Sequence, residues 1–204
     1  MAGIHTLSEL CIYEEKIKRS RFIAHLCPAQ SMEEVRGFIS AISTEHSTAN
    51  HNCWAYILGD KAEIEHASDQ GEPPGTAGKP MLNMLKKHEL SNVVAVVTRY
   101  FGGTKLGIPG LIDAYSHIVD QAIQRASIIP LVHIVEFQYV VNYQNHDLIK
   151  HRIIELGAMN LEEEYTEIVT TTFTVLEESE PAVETYLAEM SKISKIENWE
   201  KNKD

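Results

Sequence analysis

The sequence predicts an α+β chain of two domains. Three observations carry that reading: a change of composition near residue 128, an apolar period that alternates between strand and helix spacing, and a β-α-β-β-α-β order in the last part of the chain. A length of 204 residues accommodates two small domains. Residues 1–127 hold 12 basic and 14 acidic side chains, a net of −2; residues 128–204 hold 6 and 15, a net of −9, which together give the −11 of the whole chain. Ten of the eleven glycines precede residue 111 and only Gly157 follows. Such a shift marks a boundary. The domains are read as 1–128 and 131–204, joined near Ile128–Leu131, where Pro130 suits a linker or a strand start.

The first domain opens with two strands, Leu10–Ile17 and Arg21–Cys27, around a charged turn. Ser31 with Glu34 three residues on is a capping box. Met32, Val35, Ile39 and Ile42 then mark one face of a helix. Cys53–Leu58 reads as a compact apolar strand, 66–80 as a glycine- and proline-rich loop, and Met81–Lys87 as a short helix. Val93–Tyr100 is a β-branched run without polar alternation, so it requires cover on both faces. A glycine-rich loop follows. Leu111, Ala114, Tyr115, Ile118, Val119, Ala122 and Ile123 keep the i, i+3, i+4 spacing of a long helix.

The second domain begins with a half-buried strand over 135–143. A helix carries Ile149, Ile153 and Leu156, with Gly157 placed as its C-cap. A strand pair over 159–175 puts Val169, Phe173 and Val175 on one side and Thr170, Thr172 and Thr174 on the other. Val183, Leu187 and Met190 mark a second helix, and Ile193–Trp199 a last strand. This order is the split βαβ, or ferredoxin-like, arrangement.

Charge and composition exclude several classes. A net charge of −11 argues against a general nucleic-acid coat. Three cysteines, Cys11, Cys27 and Cys53, with no C-x-x-C pair, argue against a disulfide framework or zinc knuckle and for a reducing compartment. MAGIHTLSEL has no basic segment followed by an apolar run, and no apolar run approaches the ~20 residues of a membrane span. A soluble cytoplasmic protein is expected.

Two segments carry candidate chemistry: Ser68–Pro80, SDQGEPPGTAGKP, and Arg99–Gly110, RYFGGTKLGIPG. Each joins glycines, a cation and a helix start. Glycines let backbone N–H groups approach a ligand, and a helix start offers unpaired N–H groups to an anion. Equally, the glycines make tight turns and the cations pair with Asp69 and Glu72. The candidate ligand-binding residues are Arg21, His51, Asp69, Gly71, Glu72, Gly75, Thr76, Lys79, Arg99, Tyr100, Gly102, Gly103, Lys105 and Gly107. Arg99, ending a buried strand, requires a partner, Asp69 or Glu72, since unpaired buried charge is costly. The two segments are expected to converge. Neither fits a Walker A loop or a dinucleotide fingerprint. His51, Cys53, His66, Asp69 and Glu72 lack a recognisable metal-ligand spacing, and Cys53 or Ser68 with His51 or His66 lacks the context of a nucleophile. No catalytic residue, metal ligand or cofactor is assigned.

The string NVVAVVTRYFGGTKLG, 92–107, resembles the signature of the IMPACT/YigZ family, and SDQGEPPGTAGKPML, 68–82, its second hallmark. KRSRFIA, 18–24, and HNCWAY, 51–56, fit in the same order. One departure is Gln70, where many members carry a second acid after Asp69. The resemblance covers the whole chain. It implies a ribosomal protein S5 domain 2-like first domain and a ferredoxin-like second domain similar to the last domain of elongation factor G. It also implies a binding module of the translation machinery, with RNA, the ribosome or a translation-related protein as partner; eukaryotic relatives regulate translation. The alternative is a small-molecule enzyme of phosphate or acyl chemistry that uses the glycine-rich cleft.

Overall fold

The computed structural model describes residues 4–132 and 134–202. Residues 1–3, 133 and 203–204, which the two sequence domains include, lie outside it. The chain is a mixed α/β protein of two compact units that divide between Leu131 and Val132.

The first unit is built on a five-stranded antiparallel sheet. Its strands are β2 (Cys11–Ile17), β3 (Ser20–Pro28), β4 (His51–Leu58), β5 (Ile64–Ser68) and β6 (Val93–Tyr100), in the order β2-β3-β6-β4-β5. Helix α1 (Met32–Glu45) covers one face, and α2 (Gly78–Lys87) and α3 (Gly107–Ile123) the other. Central β6 shows why its sequence lacks polar alternation. Val93, Ala95 and Val97 enter the core under α2 and α3, while Val94 and Val96 enter the core under α1. All five are fully buried, and each valine contributes roughly 1.5–3 kcal/mol by leaving water.

Helix α1 starts as its cap residues predict, with one difference. Ser31 Oγ accepts from the Glu34 N–H at 3.2 Å, but the Glu34 carboxylate accepts from Gln30 N–H, one residue before the cap, at 2.7 Å. The stretch read as a loop over 66–80 is partly regular. It contains the end of β5, and α2 begins at Gly78 with Pro80 in its first turn, where a missing N–H costs no helical bond. Short β5 sits at the sheet edge with most of its residues exposed, so no apolar alternation announces it. The join read at 128–131 also holds a strand, β7 (Ile128–Pro130), which pairs with β1 (His5–Leu7).

The second unit has four antiparallel strands in the order β11-β8-β10-β9: β8 (Ile134–Val141), β9 (Met159–Tyr165), β10 (Val169–Leu176) and β11 (Asn198–Asn202). Helices α4 (Tyr143–Glu155) and α5 (Glu180–Lys192) bury Ile149, Ile153, Val183 and Leu187 against Phe137, Tyr139, Val169 and Phe173. Gly157, at φ +97°, closes α4, with the Ala158 N–H reaching back to Ile153 O at 3.0 Å. The last strand starts later than Ile193. Residues 193–195 instead terminate α5: Ser194 takes φ +55° and the Lys195 N–H bonds Met190 O at 2.9 Å, a Schellman closure. A serine in place of the usual glycine hid that stop.

Candidate functional site

Strands β5 and β6 both run antiparallel to β4, so they run in the same direction and their ends emerge beside the start of β4. The two glycine-rich segments therefore leave the sheet at one end. Across it, Phe22, Arg99 and His51 lie in one row, because Phe22 pairs with Arg99 and Arg99 with His51. That row lies on the α2/α3 side.

The segment after β5 folds around Asp69. Its carboxylate accepts from the N–H groups of Gly75 (2.8 Å), Ala77 and Gly78 (2.9 Å each). Burial alone would raise the Asp69 pKa, but these donors together hold it below the usual value. Ala77, at the start of α2, makes no side-chain cap bond, so Asp69 caps α2 from outside the helix. The Thr76 hydroxyl donates to Pro73 O at 2.7 Å. The Glu72 N–H bonds Asp69 O at 3.0 Å, and in this turn the Glu72 side chain is buried.

Glu72 is the partner of Arg99. Its Oε1 accepts from Arg99 Nη1 at 2.6 Å and from the Tyr115 hydroxyl at 2.9 Å, with both charged side chains almost wholly buried. Arg99 Nη2 also donates to Ser20 Oγ at 3.3 Å, and the guanidinium lies 5.4 Å from the Phe22 ring and 5.5 Å from that of Phe101. His51 Nδ1 donates to the Gln70 carbonyl at 2.9 Å, which turns Nε2 toward Glu72 Oε2 at 3.8 Å.

Over this floor opens a cleft of about 430 Å³, lined by His51, Glu72, Arg99, Lys105 and the first turn of α3, with apolar walls from Phe101, Leu106, Ile108 and Leu111. Leu106 gives α3 no side-chain cap, and the first turn of α3 carries no acid. With Arg99 paired to Glu72, Lys105 is the lining cation left without an ion pair among the described residues, beside a helix start that lacks a side-chain cap.

The other candidates lie elsewhere or build the loops. Arg21 and Tyr100 point to the opposite face of the sheet, where Arg21 pairs with Glu14 and lies over the Tyr100 ring. The Tyr100 hydroxyl meets His46 Nδ1 at 3.0 Å. Lys79 is exposed on α2, outside the cleft lining. Gly71, Gly75 and Gly103 take positive φ angles, as does Gly107 at the start of α3. Gly102 has no room for a Cβ, because the Arg19 carbonyl occupies that space.

Cys53 is not poised as a nucleophile. Its Sγ donates to Asp69 O at 2.9 Å, and burial pushes its pKa up to about 12. His66 packs against Trp54 and Tyr56 on the far face. Among the described residues no three His, Cys, Asp or Glu side chains are grouped to hold a metal. Sequence reasoning placed Tyr115 in the core but missed its hydroxyl bond to Glu72, and did not assign Ser20, Phe101 or Leu106 to the site. Only the helical spacing hinted at Tyr115.

The unit is thus an antiparallel α/β fold with a buried Arg–Glu floor under two glycine-rich loops that border one cleft. The Impact N-terminal domain family matches residues 18–123, and a domain of unknown function (DUF1949) matches 140–192. The chain belongs to the IMPACT family. It is 46% identical over 124 residues to the IMPACT family member YvyE of Bacillus subtilis (strain 168), covering 61% of this chain and 57% of that protein. It is 42% identical over 113 residues to the IMPACT family member YigZ of Escherichia coli (strain K12), covering 54% and 55%. These matches span little more than half the length of the curated relatives. A crystal structure described as that of an hypothetical protein is 29% identical, covers 94% of both chains and superposes with a TM-score of 0.66. No helix among the described residues is long and apolar enough to cross a membrane.

Proposed function

We propose that this chain is a non-enzymatic binding module of the translation machinery, and that its first unit meets phosphate groups of RNA or the ribosome. The observation that carries this is a group of three exposed cations beside the cleft, next to a depression that also holds Glu15 and Asp113. Lys18 and Leu106 line one depression, and the Arg19 backbone abuts Gly102. The tip of the β2–β3 hairpin therefore adjoins the loop that carries Lys105. Lys18, Arg19 and Lys105 are exposed and form no ion pair among the described residues. The family supports the translational setting. The first unit is read as ribosomal protein S5 domain 2-like and the second as ferredoxin-like; the β11-β8-β10-β9 order supports the second of these readings. Residues 128–204, at net −9, repel phosphate.

The experiment is co-sedimentation with ribosomes and with single-stranded RNA across a salt series. Each phosphate contact contributes a log–log slope of about −0.7 on single strands. Lys18→Ala/Arg19→Ala/Lys105→Ala is expected to flatten the slope by about 2. Wild-type binding that is insensitive to salt, or unchanged in this variant, refutes the interface. The second reading, a small-molecule enzyme, is favoured by the half-enclosed cleft with His51 beside Glu72. Turnover of a phosphorylated metabolite that is lost in His51→Ala would replace the first reading.

A further inference from the structure

The opposite side of the first unit holds a second cavity, which the function above does not use. Helix α1 covers β4 and β6 but stops short of β5. A groove of about 400 Å³ remains between its Met32–Val35–Arg36–Ile39–Ser40 stripe and the Trp54, Tyr56 and His66 side chains of β4 and β5. The Trp54 and Tyr56 rings are stacked at 5.9 Å, and His66 meets both edge-on. This volume falls in the range of specific binding sites.

The groove runs beside an open sheet edge. Strand β5 pairs with β4 alone among the described residues, so its outward backbone donors and acceptors are unpaired. Natural edges are commonly blunted by lysine, proline or a bulge. The sequence of β5, IEHAS, has neither lysine nor proline, and its pairing with β4 runs without a register shift. Ile64 is 50% exposed. Glu65, its one charged residue, points to the other face, where it pairs with Lys86. Arg36 is the one fully charged residue lining the groove; it is exposed, and no ion pair among the described residues engages it.

We propose that β5 and α1 form a docking site for an extended, acidic–apolar peptide segment of another protein, added as a sixth strand. A strand edge flanked by a helix-walled groove gives the two parts of β-augmentation: main-chain bonds for affinity and a side-chain slot for specificity. Five residues of β5 offer an edge of roughly 17 Å. Alternate peptide side chains face the α1 side, where an apolar one packs on His66 and reaches over it toward Trp54, Tyr56 and Ile39. An acidic one meets Arg36. Charge complementarity decides the occupant: the groove lining carries a cation and no carboxylate.

The test is selection of a random dodecapeptide phage library on the full chain. Enriched peptides are synthesised and titrated by Trp54 fluorescence in a Trp199→Phe background. Alternating apolar residues with at least one acid are expected, with a shift of Trp54 emission. Binding should weaken about tenfold or more in Arg36→Glu, a surface change next to the slot. N-methylation of alternate peptide amides should abolish it, and bound peptide should slow amide exchange across residues 64–68. Absence of enrichment, peptides without an acid, equal binding to Arg36→Glu or indifference to N-methylation overturns the proposal. So does a concentration-dependent dimer with protected 64–68 amides, which assigns the edge to a second copy of the chain.

Discussion

Removing Glu72 tests the construction of the cleft most directly. Its carboxylate is 3% exposed and accepts from Arg99 Nη1 at 2.6 Å and from the Tyr115 hydroxyl at 2.9 Å. In Glu72→Ala the Arg99 guanidinium, 6% exposed, keeps only the 3.3 Å bond to Ser20 Oγ. A buried charge stripped of its partner costs about 3–5 kcal/mol. With a urea m-value of about 2 kcal/mol per molar, the unfolding midpoint falls by roughly 1.5–2.5 M. Trp54 reports the first unit alone in a Trp199→Phe background, because Trp199 packs in the other core. The double variant Glu72→Met/Arg99→Met leaves no orphaned charge, so it is expected to be more stable than either single variant. A Glu72→Ala midpoint within about 0.5 M of wild type, or a double variant that loses the sum of the singles, refutes the account of a mutually dependent buried pair.

Three further outcomes follow from titrating groups. Asp69 has a folded pKa below its unfolded one, so the stability it contributes is present above about pH 4 and is lost as pH falls through the folded value. Asp69→Ala is expected to cost about 1 kcal/mol at pH 7 and to flatten the acid limb, read by urea unfolding between pH 2 and 7. His25 is buried with Nδ1 unpaired, and desolvation first, then neighbouring His46, lowers its pKa. Its unfolded form takes up the proton first, so stability falls as pH drops below about 6.5; His25→Phe should remove that slope, and an unchanged slope would assign it elsewhere. Cys53 should resist iodoacetamide at pH 8 in the native protein and react at once in urea, since its thiol stays protonated up to about pH 12. Rapid native labelling of Cys53 would restore it as a candidate nucleophile.

What the sequence disclosed were elements whose local pattern matched their burial. The apolar run of β6 declared two-sided cover, and α3 declared its core face through Leu111, Ala114, Tyr115 and Ile118. Elements too short or too exposed to show a period stayed hidden: edge strand β5, three-residue β1 and β7, and the end of α5, closed by Ser194 rather than by a glycine. The site was legible in the same uneven way. That Arg99 needed an acid followed from its place at the end of a buried strand. The choice between Asp69 and Glu72 did not, because it depended on Asp69 turning back to cap α2. Arg21 and Tyr100 stood close in sequence to real lining residues, yet strand alternation sent them to the other face.

That alternation makes the cleft a product of register rather than of motif. His51, Arg99 and Phe22 come from three strands and meet only because β4, β6 and β3 pair without slippage at that end. A shift of one residue in β6 would turn Arg99 to the α1 side and bring Tyr100 to Glu72. The pairing is fixed from both sides, by Val94 and Val96 under α1 and by Ala95 and Val97 under α2 and α3. The glycine-rich strings therefore carry the loops' shape, while the orientation of the charged pair is set by apolar residues up to five positions away. Substitutions in the β6 core are accordingly expected to disturb the cleft before any change in its polar residues does.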